Sequence, residues 1–127
     1  MAAVQFASRQ FADVVVASPT GRIDHGAAQS LEQSLMPLLD AAVPGQGGVL
    51  LDFSGVEYIS SVGLRVLMIA GKRMHARGAA LAIATLQPVV AEIFAISRFN
   101  GLFRVYPDVR EALAAMSPAA LAAFDRG

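Results

Sequence analysis

Hydrophobic and polar residues follow one another in blocks along the chain, and each block predicts a strand or a helix. Residues 13–18, DVVVAS, are rich in β-branched side chains and predict a strand. Pro19 and Gly21 follow directly and should end that strand in a turn. The preceding VQFAS, residues 4–8, is a candidate partner strand.

The next two blocks predict a helix and then a buried strand. Leucines recur at helical spacing through residues 27–42 until Pro44, so a first helix is expected there, with a distortion near Pro37. Residues 48–53, GVLLDF, are too few for a helix and apolar on both faces. That composition is typical of a central strand covered on both sides.

A second helix is predicted to begin near the two adjacent serines, Ser60 and Ser61, and to end near Gly78. The stripe expected to face the core comprises Leu64, Leu67, Met68, Gly71 and Met74. The opposite stripe comprises Arg65, Ile69, Lys72, Arg73 and Ala76. Ile69 is thus an apolar residue on a face where solvated side chains are expected.

The remaining segments continue the alternation of strands and helices. They predict a strand over 79–86, a helix from Pro88 to about Ser97, a strand over 102–106 and a helix over 109–116. The pattern assigns neither a strand nor a helix to the alanine-rich tail, residues 117–127. Strands joined by such helices indicate crossovers. We therefore expect an α/β fold with a mostly parallel, mixed central sheet of four to five strands and about four helices.

Length and charge narrow the class of protein. A chain of 127 residues, 55% of them apolar, should fold as one domain, residues 1–127, with a core over about 14–116. Ten basic and ten acidic residues cancel, which argues against a nucleic-acid partner. There is no cysteine, the first residues do not resemble a secretory signal, and the longest charge-free run, 78–91, is too short to span a bilayer. A cytoplasmic protein without membrane insertion is expected.

The sequence offers no clear signature of an enzyme, a cofactor site or a metal site. The glycines of GQGG, residues 45–48, precede a strand and lack the lysine of a phosphate-binding loop. The serines do not form a G-x-S-x-G nucleophile elbow. His25 and His75 have no neighbour at metal-ligand spacing. We therefore expect no catalytic residue, no metal and no cofactor.

Ser60 and Ser61 are open to two interpretations. A serine hydroxyl at a helix start accepts a hydrogen bond from an unpaired backbone N–H, so either residue suits an N-cap. The same location stabilises a phosphate through the helix dipole, and the added charge of about −1.5 to −2 changes what docks there. Residue type alone leaves both roles open.

The stretch VLLDFSGVEYISSVGLRVL, residues 49–67, and the later GAALAIATLQPVVAEIF, residues 78–94, resemble the STAS domain of bacterial anti-sigma factor antagonists. The resemblance extends over about residues 14–116 and includes GRID, residues 21–24, where the family often has a turn. It implies a STAS fold. It also implies that the chain binds a partner and has no enzymatic activity of its own.

The resemblance implies a phosphorylation switch at Ser61. In the family, the serine two residues before the glycine of a D-S-x-G-L motif is phosphorylated by a serine/threonine kinase that is also the anti-sigma factor. The unphosphorylated protein binds the kinase and frees the sigma factor, and a phosphatase restores this state. Ser61, Val62, Gly63 and Leu64 match the motif, but Ser60 replaces its aspartate, so Ser60 is an alternative acceptor.

Partner-binding residues are expected around this motif and along the polar stripe of the second helix. The candidates are Asp24, Asp52, Ser60, Ser61, Val62, Gly63, Arg65, Ile69 and Lys72. Asp24 and Asp52 are included because both end predicted strands, although each also suits a turn. Two other functions remain open. One is a soluble STAS subunit of a transporter or signalling complex, in which Ser61 only caps the helix, and the other, with less support, is an enzyme.

Overall fold

The fold is described by a computed structural model covering residues 5–98 and 103–127. The strands are β1 (Gln5–Phe11), β2 (Val14–Ile23), β3 (Gly48–Asp52), β4 (Val56–Ile59), β5 (Leu81–Ala84) and β6 (Arg104–Tyr106). The helices are α1 (His25–Asp40), α2 (Ser61–Arg77), α3 (Pro88–Ile96), α4 (Val109–Met116) and α5 (Pro118–Asp125). The predicted alternation of strands and helices is confirmed.

The six strands form one mixed sheet in the order β1-β2-β3-β5-β6, with β4 paired to β2 beyond the end of β3. Only β1 is antiparallel to its neighbour, and the other pairings are parallel. The predicted mostly parallel, mixed sheet is therefore confirmed. It has six strands and not four to five, and the described residues contain five helices and not about four.

Helices cover both faces of the sheet, and each face has its own core. On one face, α1, α2 and α3 pack through Leu35, Leu67 and Phe94 against strand residues such as Leu51. On the other face, α4 and α5 pack against a second group of buried residues that includes Leu50. Adjacent residues of β3 thus face opposite cores, which explains why Val49, Leu50 and Leu51 are all apolar.

The turn predicted at Pro19 and Gly21 is wrong, because β2 continues through both residues. β2 pairs with β3 as far as Ala17 and with β4 from Gly21 onward. Pro19, which lacks an N–H, lies between these two pairings and interrupts neither. Gly21 has a φ of 106° where the register shifts, and its N–H donates to the Gly55 carbonyl at 2.8 Å. A bulge within one long strand replaces the turn.

The tail, which the pattern left open, forms α5. Ser117 begins this helix, since its Oγ accepts from the Ala120 N–H at 3.2 Å and its hydroxyl donates to Asp13 at 2.5 Å. Phe124 packs edge-to-face on Phe11 at 5.4 Å between ring centroids. These contacts attach the tail to the β1–β2 hairpin.

The remaining predicted boundaries differ only in detail. Strand β4 was not predicted, because its four residues carry too short a pattern to separate from a loop. Helix α1 runs through Pro37 without ending there. The strand predicted over 79–86 is shorter in the structure. Val4 and Leu102, assigned to predicted strands, lie outside the described residues.

Candidate functional site at the start of α2

The parallel pairing of β2 with β4 brings two helix starts to one edge of the sheet. Ile23 is paired with Ile59, so the residues that follow each strand, Asp24 and Ser60, lie side by side. The Ser60 N–H donates to the Ile23 carbonyl at 2.8 Å, which fixes this arrangement. α1 begins on one side of this contact and α2 on the other.

Ser60 is the N-cap of α2. Its backbone is extended, and its Oγ accepts from the Gly63 N–H at 3.2 Å. This bond satisfies one of the backbone donors that a helix start leaves without an intrahelical partner. The interpretation in which Ser61 serves as the cap is therefore wrong for this structure.

Ser61 is the first residue of α2, and its side chain is exposed. Its hydroxyl forms no hydrogen bond with any residue in the ranges 5–98 and 103–127. Two adjacent serines thus occupy different environments. One holds the helix start in place, while the other presents its hydroxyl to solvent.

The next two residues attach the start of α2 to the sheet. Val62 is half-buried and packs against the α1–α2 core. Gly63 is buried, and a Cβ at this position would lie 2.8 Å from side-chain carbons of both Ile23 and Ile59. Glycine is therefore needed for the close approach of the helix to β2 and β4. Gly63 acts in this structure through packing.

The outer face of α2 carries the other candidates from this helix. Arg65, Ile69 and Lys72 are exposed, as the predicted polar stripe requires. Ile69 has 37% of its surface exposed, so it is accessible to a partner. Arg73, on the same face, forms a salt bridge of 3.1 Å with Asp40 of α1.

The structure separates the two aspartates proposed as candidates. Asp24 is half-buried beside Ser60, and its Oδ1 accepts from the Ala27 N–H at 2.9 Å as the N-cap of α1. Asp52 accepts from the Ser54 N–H at 3.0 Å and lines a groove on the α4–α5 side of the sheet. The strand register puts Asp52 six residues of β2 away from this edge, or about 20 Å. Only Asp24 belongs to the group around Ser61.

One pair of residues at this edge was not predicted as part of the site. Arg22 of β2 is paired with Tyr58 of β4, and its guanidinium lies 4.6 Å from the centre of the tyrosine ring. Arginine and tyrosine are enriched among the residues that dominate binding at protein interfaces. Their positions, two residues before Asp24 and Ser60, could have marked them only if β4 had been recognised as a strand.

The described residues contain no group of three or more histidine, aspartate or glutamate side chains placed to hold a metal ion. Within the same ranges, no helix is both long and apolar enough to cross a membrane. The chemistry available at the start of α2 therefore consists of an exposed hydroxyl, neighbouring arginines and a carboxylate engaged in a helix cap.

Comparison with known proteins identifies the family. The sequence profile of the STAS domain matches residues 5–112. The chain belongs to the STAS domain family. It is 35% identical over 108 residues to BtrV of Bordetella bronchiseptica, which is named as a putative anti-sigma factor antagonist, and the match covers 85% of this chain and 90% of BtrV. The resemblance noted from the sequence is confirmed.

Solved structures share the fold. An anti-sigma factor antagonist from Mycobacterium paratuberculosis superposes with a TM-score of 0.78 at 23% identity, covering 90% of this chain and 94% of that one. SpoIIAA of Bacillus, solved in unphosphorylated and phosphorylated forms, is similar to this STAS protein. Its unphosphorylated form has a TM-score of 0.71 at 16% identity and covers 87% and 95% of the two chains. At these identities the likeness concerns the fold.

Proposed function

We propose that this STAS protein is an anti-sigma factor antagonist that is switched by phosphorylation of Ser61. In its unphosphorylated state it binds an anti-sigma factor that is also a serine/threonine kinase, which releases the sigma factor. The kinase transfers the γ-phosphoryl group of ATP to the Ser61 oxygen, with loss of the hydroxyl proton and formation of ADP. A serine phosphatase then hydrolyses the phosphoester and restores binding. These steps belong to the cytoplasm.

One observation carries the proposal. Ser60 supplies the N-cap of α2, which leaves the adjacent Ser61 exposed and its hydroxyl without a partner in the described ranges. Phosphorylation of Ser61 therefore leaves the helix cap untouched, whereas phosphorylation of Ser60 would turn the oxygen that accepts the Gly63 N–H into a phosphoester oxygen. This difference favours Ser61 as the acceptor. Ser60 is the alternative.

The surroundings of Ser61 suit a protein partner. Arg22 and Tyr58 lie at the same sheet edge, and Arg65 and Ile69 are exposed further along α2. A mixture of arginine, aromatic and apolar side chains is typical of the central part of an interface. The proposed contact surface comprises Arg22, Asp24, Tyr58, Ser61, Val62, Arg65, Ile69 and Lys72.

A phosphate at Ser61 would act through charge and desolvation. A partner docked over the start of α2 would bury a dianion, and this costs binding free energy unless the partner supplies matching donors. A difference of about 3 kcal/mol between the two forms corresponds to roughly a hundredfold in affinity. This is sufficient for a switch.

The test is affinity capture from a lysate of the native host with three baits: the unmodified chain, Ser61→Ala and Ser61→Asp. Bound proteins are identified by mass spectrometry, and the phosphorylation state of the recovered bait is measured by peptide mapping. We expect a serine kinase bound to the first two baits and lost from Ser61→Asp. Ser60→Ala is the matched control, because it alters the neighbouring hydroxyl and leaves Ser61 in place.

Equal binding of the same partners by all three baits would refute the switch. The alternative function, a STAS subunit with a structural or ligand-sensing role in a transporter or signalling complex, predicts this result. It also predicts that Ser61 carries no phosphate in the host. The match to BtrV, which covers 90% of that protein, favours the antagonist.

A further inference from the structure

Arg65 is an exposed cation four residues after Ser61 on the same helix. It forms no salt bridge or hydrogen bond within the part of the chain that the structure describes. The other exposed arginine of α2, Arg73, is already paired with Asp40 at 3.1 Å. Arg65 is therefore available to pair with a new negative charge.

The helix geometry brings the two side chains together. Residues four apart lie one above the other on a helix, with about 5–6 Å between their Cβ atoms. Helical side chains lean toward the N-terminus, so an arginine at position 65 can extend its guanidinium back toward residue 61. An anion placed N-terminal to a cation at this spacing is the favoured orientation. A guanidinium also binds a phosphate through two parallel hydrogen bonds.

We infer that Arg65 is the intramolecular partner of the phosphate on Ser61. The inference rests on the proposed function, because it concerns the phosphorylated form of that site. Pairing would change the surface in two ways at once: a dianion appears at Ser61, and Arg65 is withdrawn from the contact surface. An arginine available to the kinase before phosphorylation is thus occupied afterwards.

Other charged groups at this edge are less suited to the role. Asp24 and Glu57 are acidic and would repel the phosphate. Arg22 lies over the Tyr58 ring. His25 is exposed at the start of α1, so it does not share a helix with Ser61. Arg65 is therefore the permanent cation that lies one helical turn after Ser61, and it has no competing contact in the described ranges.

The test uses the full chain with phosphoserine encoded genetically at position 61, which makes the kinase unnecessary. The second pKa of the phosphate is measured by phosphorus NMR in the otherwise unmodified chain and with Arg65→Gln. Because Arg65 stabilises the dianion, this pKa should be about 0.2–0.4 lower when Arg65 is present. The difference should shrink in 1 M salt, where exposed charges are screened.

Two further variants make the result specific. Lys72→Gln removes an equal charge from the same face, but position 72 lies about 16 Å from Ser61 along the helix axis, so this variant should leave the phosphate pKa near that of the unmodified chain. Arg65→Lys should keep part of the shift. An unchanged pKa in Arg65→Gln, or an equal rise in Lys72→Gln, would overturn the pairing. Failure of the capture experiment would contradict the phosphorylation switch while leaving this measured pairing intact, so the two outcomes are distinguishable.

Discussion

Removal of the Ser60 hydroxyl should lower the free energy of unfolding, whereas removal of the Ser61 hydroxyl should leave it nearly unchanged. Of the two serines, Ser60 is the one whose Oγ accepts the Gly63 N–H, at 3.2 Å. The substitution Ser60→Ala leaves that N–H without its side-chain partner at a partly buried helix start. Ser61→Ala removes a hydroxyl that is exposed and forms no hydrogen bond in the described ranges.

The expected magnitude follows from the cap. Loss of a serine N-cap costs about 0.5–2 kcal/mol, and the 3.2 Å length of this single bond favours about 1 kcal/mol. For a chain of 127 residues this lowers Tm by about 3–5 °C. An exposed substitution such as Ser61→Ala should stay within about 0.5 kcal/mol of the unmodified protein.

The assay is urea unfolding of both variants, followed by circular dichroism and fitted to a two-state transition. Ser60→Asp is the matched control, because aspartate caps helices about as well as serine and should retain the free energy of unfolding. A loss of stability in Ser61→Ala equal to that in Ser60→Ala would refute the assignment of separate roles to the two serines.

Three further predictions concern the packing around the site and the ends of the helices. Gly63→Ala should lower the free energy of unfolding in urea by about 1–3 kcal/mol, because the new methyl group would overlap Ile59 at 2.8 Å. Arg77→Met should cost about 1–3 kcal/mol in the same assay, because the guanidinium donates to two carbonyls at the end of α1, at 3.0 and 2.7 Å. The hydrogen bond from Ser117 lowers the pKa of Asp13 in the folded protein. The ionised Asp13 side chain therefore stabilises the fold above about pH 4, and this stabilisation is lost as the pH falls through the lowered pKa of the folded state. Asp13→Asn should therefore reduce the loss of stability on acidification, which unfolding curves between pH 2 and 6 would measure.

The elements that could be predicted were those whose hydrophobic pattern decides the structure by itself. The leucine-bearing faces of α1 and α2 were recognised because each buries a regular set of side chains, and β3 was recognised by its run of buried apolar residues, Val49 to Leu51. β4 was missed because its pairing with β2 depends on a bulge at Gly21, and a pairing partner is not encoded in the four residues themselves. α5 was also not predicted, because it is held in place by tertiary contacts of Ser117 with Asp13 and of Phe124 with Phe11.

The candidate site likewise has features that the sequence predicts and features that depend on the sheet. A helix start at the two serines was predictable, since serine before a helical apolar stripe is a local signal. The sequence did not predict which of the two serines is the N-cap, because that depends on the hydrogen bond from the Ser60 N–H to the Ile23 carbonyl between β4 and β2. Asp52 was grouped with Asp24 because both end strands. The offset between β3 and β4 along β2 separates them, and this offset is a property of the sheet.

The replacement of the family's aspartate by Ser60 affects charge more than conformation. Both residues are good N-caps, so the backbone at the start of α2 is retained. An aspartate next to Ser61 would add a negative charge beside the phosphate and raise the cost of forming the dianion. With Ser60 that repulsion is absent, and Arg65, four residues after Ser61, forms no salt bridge within residues 5–98 and 103–127. In the switch proposed above, the charges contributed by positions 60 and 65 would therefore stabilise a phosphate on Ser61 relative to a protein that has the family's aspartate.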